Sequence, residues 1–330
     1  MNRSTLSTFS SIAALVAAFA AASACDDDSS DDPAPSTKGA AGTGPVAGRG
    51  GAGGLPTAGQ GGTAGQGGKA GQATAGQSGA AGQGGTAGQG GAPAAPFVLL
   101  HGAWNGAWVW DNVSAGLRAS GAEVSTVELP AHGDDQTPLA DATFEAYVTK
   151  VGAALEGAAA PVVLVAHSLG GAVATQVAER YPDRIAKLVY LAAYVPKSGE
   201  SLQALAQQDA DSSVGPALII DPVAGTAGLP LAQLGAIFCA DCQPAALAQL
   251  TDKYRDEPLA PFGAPVQVTA ENWGRVPRYY IYTAQDKAVS PALQSAMTAG
   301  VTFVSTATLD TGHSPFLSRP EQVVTTLLGF

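Results

Sequence analysis

A serine set between an apolar run and a helical pattern constrains this chain more than any other feature. Pro161-Val162-Val163-Leu164-Val165 leads into Ala166-His167-Ser168-Leu169-Gly170, and Gly171 to Arg180 continues at helical spacing. A serine at a strand-to-helix turn among small residues has the pattern of a nucleophile elbow. The turn is sharp and lifts the hydroxyl above the sheet edge. Small neighbours are needed because the strand and helix backbones approach closely. Ala166 stands where G-x-S-x-G has its first glycine, and alanine is small enough for that packing. In isolation, a small-residue helix start with a capping serine would explain the same letters, so partners are required.

The partners follow in order. A serine hydroxyl attacks only when a base takes its proton and an acid orients that base. Arg278-Tyr279-Tyr280-Ile281-Tyr282-Thr283 reads as a strand and ends at Ala284-Gln285-Asp286. Val301 to Leu309 reads as another, leading into Asp310-Thr311-Gly312-His313. Ser168, Asp286 and His313 thus all fall just past strand ends, where open parallel sheets build their sites. The chain has four histidines, of which only His313 follows the serine. His167 is directed elsewhere by the strand-turn geometry, and His132 sits in a loop with turn chemistry. Asp310 is a rival acid, too near His313 in sequence to form a separate loop.

Acyl transfer builds negative charge on a carbonyl oxygen, and two aimed backbone N–H groups stabilise it by roughly 3 kcal/mol per donor. One is expected from Leu169, the residue after the nucleophile. The other is expected from Ala103, in the loop where Phe97-Val98-Leu99-Leu100 runs into His101-Gly102-Ala103-Trp104.

FVLLHGAWNGAWVW (Phe97 to Trp110), LPAHGD (Leu129 to Asp134), AHSLGG and the Asp286/His313 pair resemble the α/β-hydrolase superfamily over Pro96 to Phe330. The nearer resemblance is to the branch of EstC-like bacterial esterases, plant methyl esterases and plant hydroxynitrile lyases. It implies serine attack, a histidine base and the same oxyanion donors. Lyases of that branch carry a threonine where this chain has Gly102. They also carry a lysine just after the catalytic histidine, where this chain has Ser314. The missing cation argues for an esterase. Ser168 argues against the aspartate-nucleophile members of the fold.

Strands at 97–100, 123–129, 161–166, 187–193, 278–283 and 301–309 alternate with helical segments, among them Asn105 to Ser120, Thr143 to Glu156 and Ser318 to Leu328. The alternation implies an α/β-hydrolase fold, a mostly parallel, six-stranded, doubly wound sheet. The insert of about 196–276, rich in Leu, Ala and Gln and broken by prolines, is expected to be a mostly helical cap that excludes water. Trp104, Phe238 and Trp273 are candidates for an apolar substrate pocket, although core packing explains any one of them.

The first residues differ in kind. A basic start, an apolar core at Ile12 to Ala21 and Ala22-Ser23-Ala24-Cys25 read as a signal peptide over 1–24, with Cys25 the site of lipidation. Ordinary cleavage and secretion is the alternative, and either route takes the mature chain out of the cytoplasm. Residues 25–95 are a Gly/Ala/Gln tract in which Thr57 to Gly62 recurs at 63–68 and 86–91. It cannot bury a core and reads as a disordered tether with a reach on the order of 45 Å.

The net charge of −11 and the lack of a basic stretch exclude nucleic acid as a partner. Cys239-Ala240-Asp241-Cys242 has no second pair to complete a zinc site. A local disulfide and two free thiols both remain open there. No phosphate-binding glycine loop occurs, so neither cofactor nor metal is implied. The expectation is an extracytoplasmic, lipid-anchored serine hydrolase of small carboxylic esters. A hydroxynitrile lyase or amidase on the same three residues is the alternative among enzymes. A non-catalytic small-molecule binding module is the alternative outside them.

Overall fold

The computed structural model describes residues 95–330. The expected signal peptide, Cys25 and nearly all of the tether lie outside the described residues. Buried apolar runs become strands β1 (Phe97–Leu100), β2 (Val124–Val127), β3 (Val162–His167) and β4 (Ile185–Leu191), followed after the insert by β8 (Arg278–Thr283) and β9 (Ser305–Leu309). They form one sheet in the order β2-β1-β3-β4-β8-β9, with every pairing parallel. Such a sheet is covered on both faces, and so β1 and β3 are buried throughout and apolar up to His167, rather than alternating.

Three helices punctuate the first four strands: α1 (Asp111–Ala119), α2 (Phe144–Gly157) and α3 (Leu169–Arg180). The chain leaves β1 toward β2, then returns across β1 to β3. Right-handed crossovers therefore place α1 on the face opposite α2 and α3. The strand order reverses between β1 and β3, and Ser168 sits at the carboxyl end of β3 beside that crevice.

Helices are the main regular structure of the insert, as its composition suggests, but a small sheet is added to them. The insert contains short helices, α4 (Leu202–Ala206), α5 (Val214–Ala217), α6 (Leu234–Phe238) and α7 (Pro244–Asp252). It also contains an antiparallel sheet of β5 (Ile219–Asp221), β6 (Thr226–Gly228) and β7 (Glu257–Pro258). These strands are too short to show a period, and β7 comes from far along the chain. Cys239 and Cys242 form a disulfide at the end of α6. The core closes with α8 (Pro291–Thr298), α9 (Pro315–Ser318) and α10 (Pro320–Gly329), the last packing on α1.

Two boundaries differ from the sequence pattern. The helix expected from Asn105 begins as a 3-10 turn at Ala107–Trp110, because the Glu128 carboxylate takes the Ala107 N–H at 2.9 Å. The last strand starts at Ser305 rather than 301. Its neighbour β8 begins at Arg278 and pairs Tyr279 with Ser305, so residues 301–303 have no strand beside them.

Candidate active site

The loops after β1, β3, β8 and β9 carry the predicted residues to one edge of the sheet. His313 Nδ1–H donates to Asp286 Oδ2 at 2.8 Å, and both side chains are buried. Asp286 is held from all sides. Its Oδ1 takes the N–H groups of Ala288 and Val289 at 2.8 and 2.9 Å. Its Oδ2 also takes Thr283 Oγ1 at 2.8 Å and Gln294 Nε2 at 3.2 Å. A carboxylate so fully satisfied keeps one geometry and fixes the ring that donates to it. Asp310, the rival acid, is exposed and accepts from Gln285 Nε2 at 2.7 Å.

Ser168 occupies φ 52° and ψ −122°, a backbone state rare for a side-chain-bearing residue. Strain of about 1–3 kcal/mol is typical of such positions, and the packing around the turn sustains it. Gly170 is required there: a Cβ would come 2.6 Å from the His101 carbonyl oxygen. The neighbouring His167 packs beside His313, with ring centroids 4.5 Å apart. Its Nε2–H donates to the backbone carbonyl of His313 at 2.9 Å, tying the β3 and β9 loops together. Burial, reinforced by the nearby His313 ring, pushes the His167 pKa well below its ordinary value. The ring is therefore neutral, with an unpartnered Nδ1.

The Ala103 loop is pinned on both flanks. His101 Nε2 accepts the Leu129 N–H at 3.1 Å, so its Nδ1 carries the proton and donates to the Gly102 carbonyl at 2.8 Å. Burial lowers the His101 pKa despite the adjacent Glu128, so the ring stays neutral. In a planar trans peptide the N–H points opposite the C=O. Holding the Gly102 carbonyl therefore turns the Ala103 N–H the other way. The next peptide is held at both ends: Asn105 Nδ2 donates to the Ala103 carbonyl at 3.1 Å, and the Trp104 N–H donates to Glu257 Oε2 at 2.8 Å. Neither Ala103 N–H nor Leu169 N–H has a protein acceptor among the described residues.

A pocket opens against Ser168, Ala103 and Leu169. It is partly open to solvent. Its lining is mostly apolar, with Trp104, Phe238, Phe262, Leu202 and Leu218 among the walls. Trp104 and Phe238 thus lie where the sequence suggests. Their ring centroids are 5.7 Å apart, and Phe238 stands 5.7 Å from the His313 ring. Trp273 does not line this pocket. Its indole donates to Tyr190 Oη at 3.0 Å and lies 4.2 Å from the Arg278 guanidinium. Asp209 is the one charged side chain in the lining; its Oδ2 takes the Ser290 N–H at 2.8 Å. Among the described residues, no cluster of ligand-type side chains could hold a metal.

Sequence reasoning missed Glu257, Asn105, Thr283 and Gln294, and it read His132 only as a loop residue. Asn105 and His132 fall inside FVLLHGAWNGAWVW and LPAHGD, where the letters give them no role, and Glu257 and Gln294 fall in no motif. Glu257 ends the charge-rich stretch Asp252-Lys253-Tyr254-Arg255-Asp256-Glu257, which by itself names no role.

Comparison with known proteins places the chain in a family and a fold. Residues 97–326 match the model of the alpha/beta hydrolase family. The chain is 31% identical over 245 residues to a putative chloroplastic methylesterase 13 of Arabidopsis thaliana, covering 71% of this chain and 55% of that relative. Methylesterase 7 of the same plant is 29% identical over 246 residues, with 70% of this chain and 94% of the relative covered. A solved pyrethroid hydrolase from Sphingobium faniae JZ-2 superposes with a TM-score of 0.62 at 24% identity, covering 72% of this chain and 96% of the other. That last likeness bears on the fold alone.

Proposed function

The chain belongs to the alpha/beta hydrolase family, and from that premise we propose that it is a carboxylic ester hydrolase working through Ser168, His313 and Asp286. The observation that carries the reading is the 2.8 Å contact of His313 with a fully satisfied Asp286, on the same sheet edge as a serine at positive φ. In this reading Ser168 Oγ attacks the ester carbonyl while His313 Nε2 takes its proton. The oxyanion receives the N–H groups of Ala103 and Leu169. His313 returns the proton to the departing alcohol. A water then attacks the acyl-enzyme, gives its proton to His313 and releases the acid and Ser168. Asp286 keeps the imidazole in one tautomer and stabilises its charged form.

The pocket argues for small, largely apolar esters. Asp209 adds a charge preference: neutral or cationic esters should be favoured over anionic ones of equal size. Lyase chemistry has less support. Ser314 is buried and brings no charge, and Lys287 is exposed. The threonine that the resembling lyases carry would not fit at Gly102, where a Cβ would stand 2.7 Å from Ser168 Cβ and 2.9 Å from His167 Nδ1.

The test is a panel of p-nitrophenyl esters of rising chain length run beside mandelonitrile, with fluorophosphonate labelling of the wild type and Ser168→Ala. The reading expects ester turnover, labelling at Ser168, and loss of about 10⁴-fold or more in Ser168→Ala. Cyanide release faster than ester cleavage would replace it with a lyase, and an unlabelled serine with a binding module. For the N-terminus we propose export and lipid attachment at Cys25, supported by the Ala22-Ser23-Ala24-Cys25 sequence. Detergent-phase partition of the wild type, lost in Cys25→Ser, is the expected result; a soluble, unmodified wild type would indicate plain secretion.

A further inference from the structure

Glu257 comes from the cap, in β7, yet its carboxylate is fully buried against the core domain. Its Oε2 takes the Trp104 N–H at 2.8 Å from 153 residues away. The same oxygen takes His132 Nε2–H at 2.7 Å, and Tyr147 Oη lies 3.5 Å from Oε1. His132 Nδ1 stands 3.0 Å from the Pro130 carbonyl. Both ring nitrogens therefore face oxygens, an arrangement that an imidazolium satisfies with two donors. A buried carboxylate beside a buried imidazolium is held in place far more firmly than a surface pair, because losing either partner strands the other.

The backbone bond of Glu257 has a definite consequence. Trp104 is held at φ 59°, in the left-handed region that a tryptophan rarely adopts. The residue cannot rest there without an anchor, and its N–H is the group being anchored. A second anchor also comes from the cap: Trp104 Nε1 donates to the Ala227 carbonyl of β6 at 2.8 Å. Ala103, immediately before Trp104, offers the N–H assigned to the oxyanion. A relaxed Trp104 would rotate the Ala103–Trp104 peptide and carry the Ala103 N–H with it. The covering insert thus completes the site from beneath as well as closing it from above.

We propose that Glu257, paired with His132, is a positioning residue for the oxyanion loop, so that the Ala103 N–H is aimed at substrate only when the cap carboxylate is seated on Trp104. This rests on the reading of Ser168 as nucleophile. Glu257 touches no substrate, and its contribution belongs to the transition state, where the oxyanion exists. Removing it should lower kcat and leave KM nearly unchanged. Loss of one oxyanion donor costs about 10²–10³ in kcat, and a misaimed donor should fall at the lower end.

The experiment compares wild type, Glu257→Gln and Glu257→Ala. It measures kcat and KM on p-nitrophenyl acetate, inhibition by a trifluoromethyl ketone that forms a tetrahedral adduct, and fluorophosphonate labelling. Expected are a kcat loss of about 10²-fold in Glu257→Ala, an inhibition constant weakened in parallel, and partial rescue in Glu257→Gln, whose amide oxygen can still accept the Trp104 N–H. Equal kcat in wild type and a folded Glu257→Ala would overturn the proposal. So would a loss expressed wholly in KM with ketone binding intact. Should the alanine variant fail to fold, the isosteric glutamine variant decides through the Trp104 amide of ¹⁵N-labelled protein. That amide should be protected and far downfield in wild type and shifted upfield in Glu257→Gln; an unchanged resonance refutes the contact. A wild type that fluorophosphonate does not label would instead sink the hydrolase reading itself.

Discussion

Asp286 draws its supports from close by in the chain: Thr283, Ala288, Val289 and Gln294, all between the end of β8 and the start of α8. The Ala103 loop draws on His101 and Asn105 nearby, but also on Leu129, on Glu257 and, through it, on His132. One half of the site is thus built by a local turn and the other by a cap docking on a core. Closing a short loop costs little chain entropy, so the acid side forms with its own hairpin of structure. The oxyanion side exists only once residues far apart in sequence have met. The two halves should fail differently when disturbed: the acid side through loss of proton transfer, the oxyanion side through loss of aim.

The sharpest break is at the acid. Asp286→Asn should lower turnover by about 10⁴-fold, because an amide favours the wrong histidine tautomer. Steady-state kinetics check this, with Asp310→Asn as the companion that should stay near wild type because that carboxylate is exposed and bonded to Gln285. The reverse ranking would mean that the acid lies on the other loop. The cap-held half should suffer less, at the roughly 10²-fold scale expected for Glu257→Ala.

Below that comes the scaffold of the acid. Gln294 Nε2 reaches Thr283 Oγ1, Asp286 Oδ2 and the Val289 carbonyl at 3.0, 3.2 and 2.7 Å. Gln294→Leu leaves buried acceptors unpaired, at a cost of about 1–3 kcal/mol in unfolding free energy. Denaturant melts should show that loss together with a fall in kcat. A stability loss with unchanged kcat would mean that the turn holds Asp286 without its glutamine.

The smallest effect is a pH dependence of stability. Burial opposes a charge on His132, but the Glu257 carboxylate outweighs it, and the His132 pKa is raised in the fold. A raised pKa contributes stability that is fully present below about pH 6.5, the ordinary histidine value. That contribution is lost as pH rises through the folded value. The groups facing this ring are Glu257, His101 and Tyr147, with Glu128 acting from farther off. The difference in unfolding free energy between wild type and His132→Asn should therefore be larger at pH 6 than at pH 9. A difference independent of pH would show that the ring is neutral in the fold.

Much of the catalytic edge was legible before any coordinates. The alternation of apolar strands and helices names a parallel sheet, and the sheet's carboxyl edge collects whatever follows each strand. Ser168, Asp286 and His313 each sit within a few residues of a strand end, so strand assignment placed them together. Trp273 was misplaced as a pocket candidate because an aromatic in the insert has no sequence mark separating a pocket wall from a partner for Arg278. The short strands of the cap were invisible for a similar reason: two or three residues show no period, and their pairing is non-local.

The chain alone determined the fold class and set Ser168, Asp286 and His313 just past strand ends, because each placement depends on local backbone chemistry within a short stretch. Only the tertiary structure decided the partners of each histidine ring and the seat of Glu257 on Trp104. The physical reason is that these depend on which acceptor faces which donor after burial. A histidine written in sequence carries no tautomer. His101 and His167 become neutral donors and His132 a cation through the partners that folding brings to each ring.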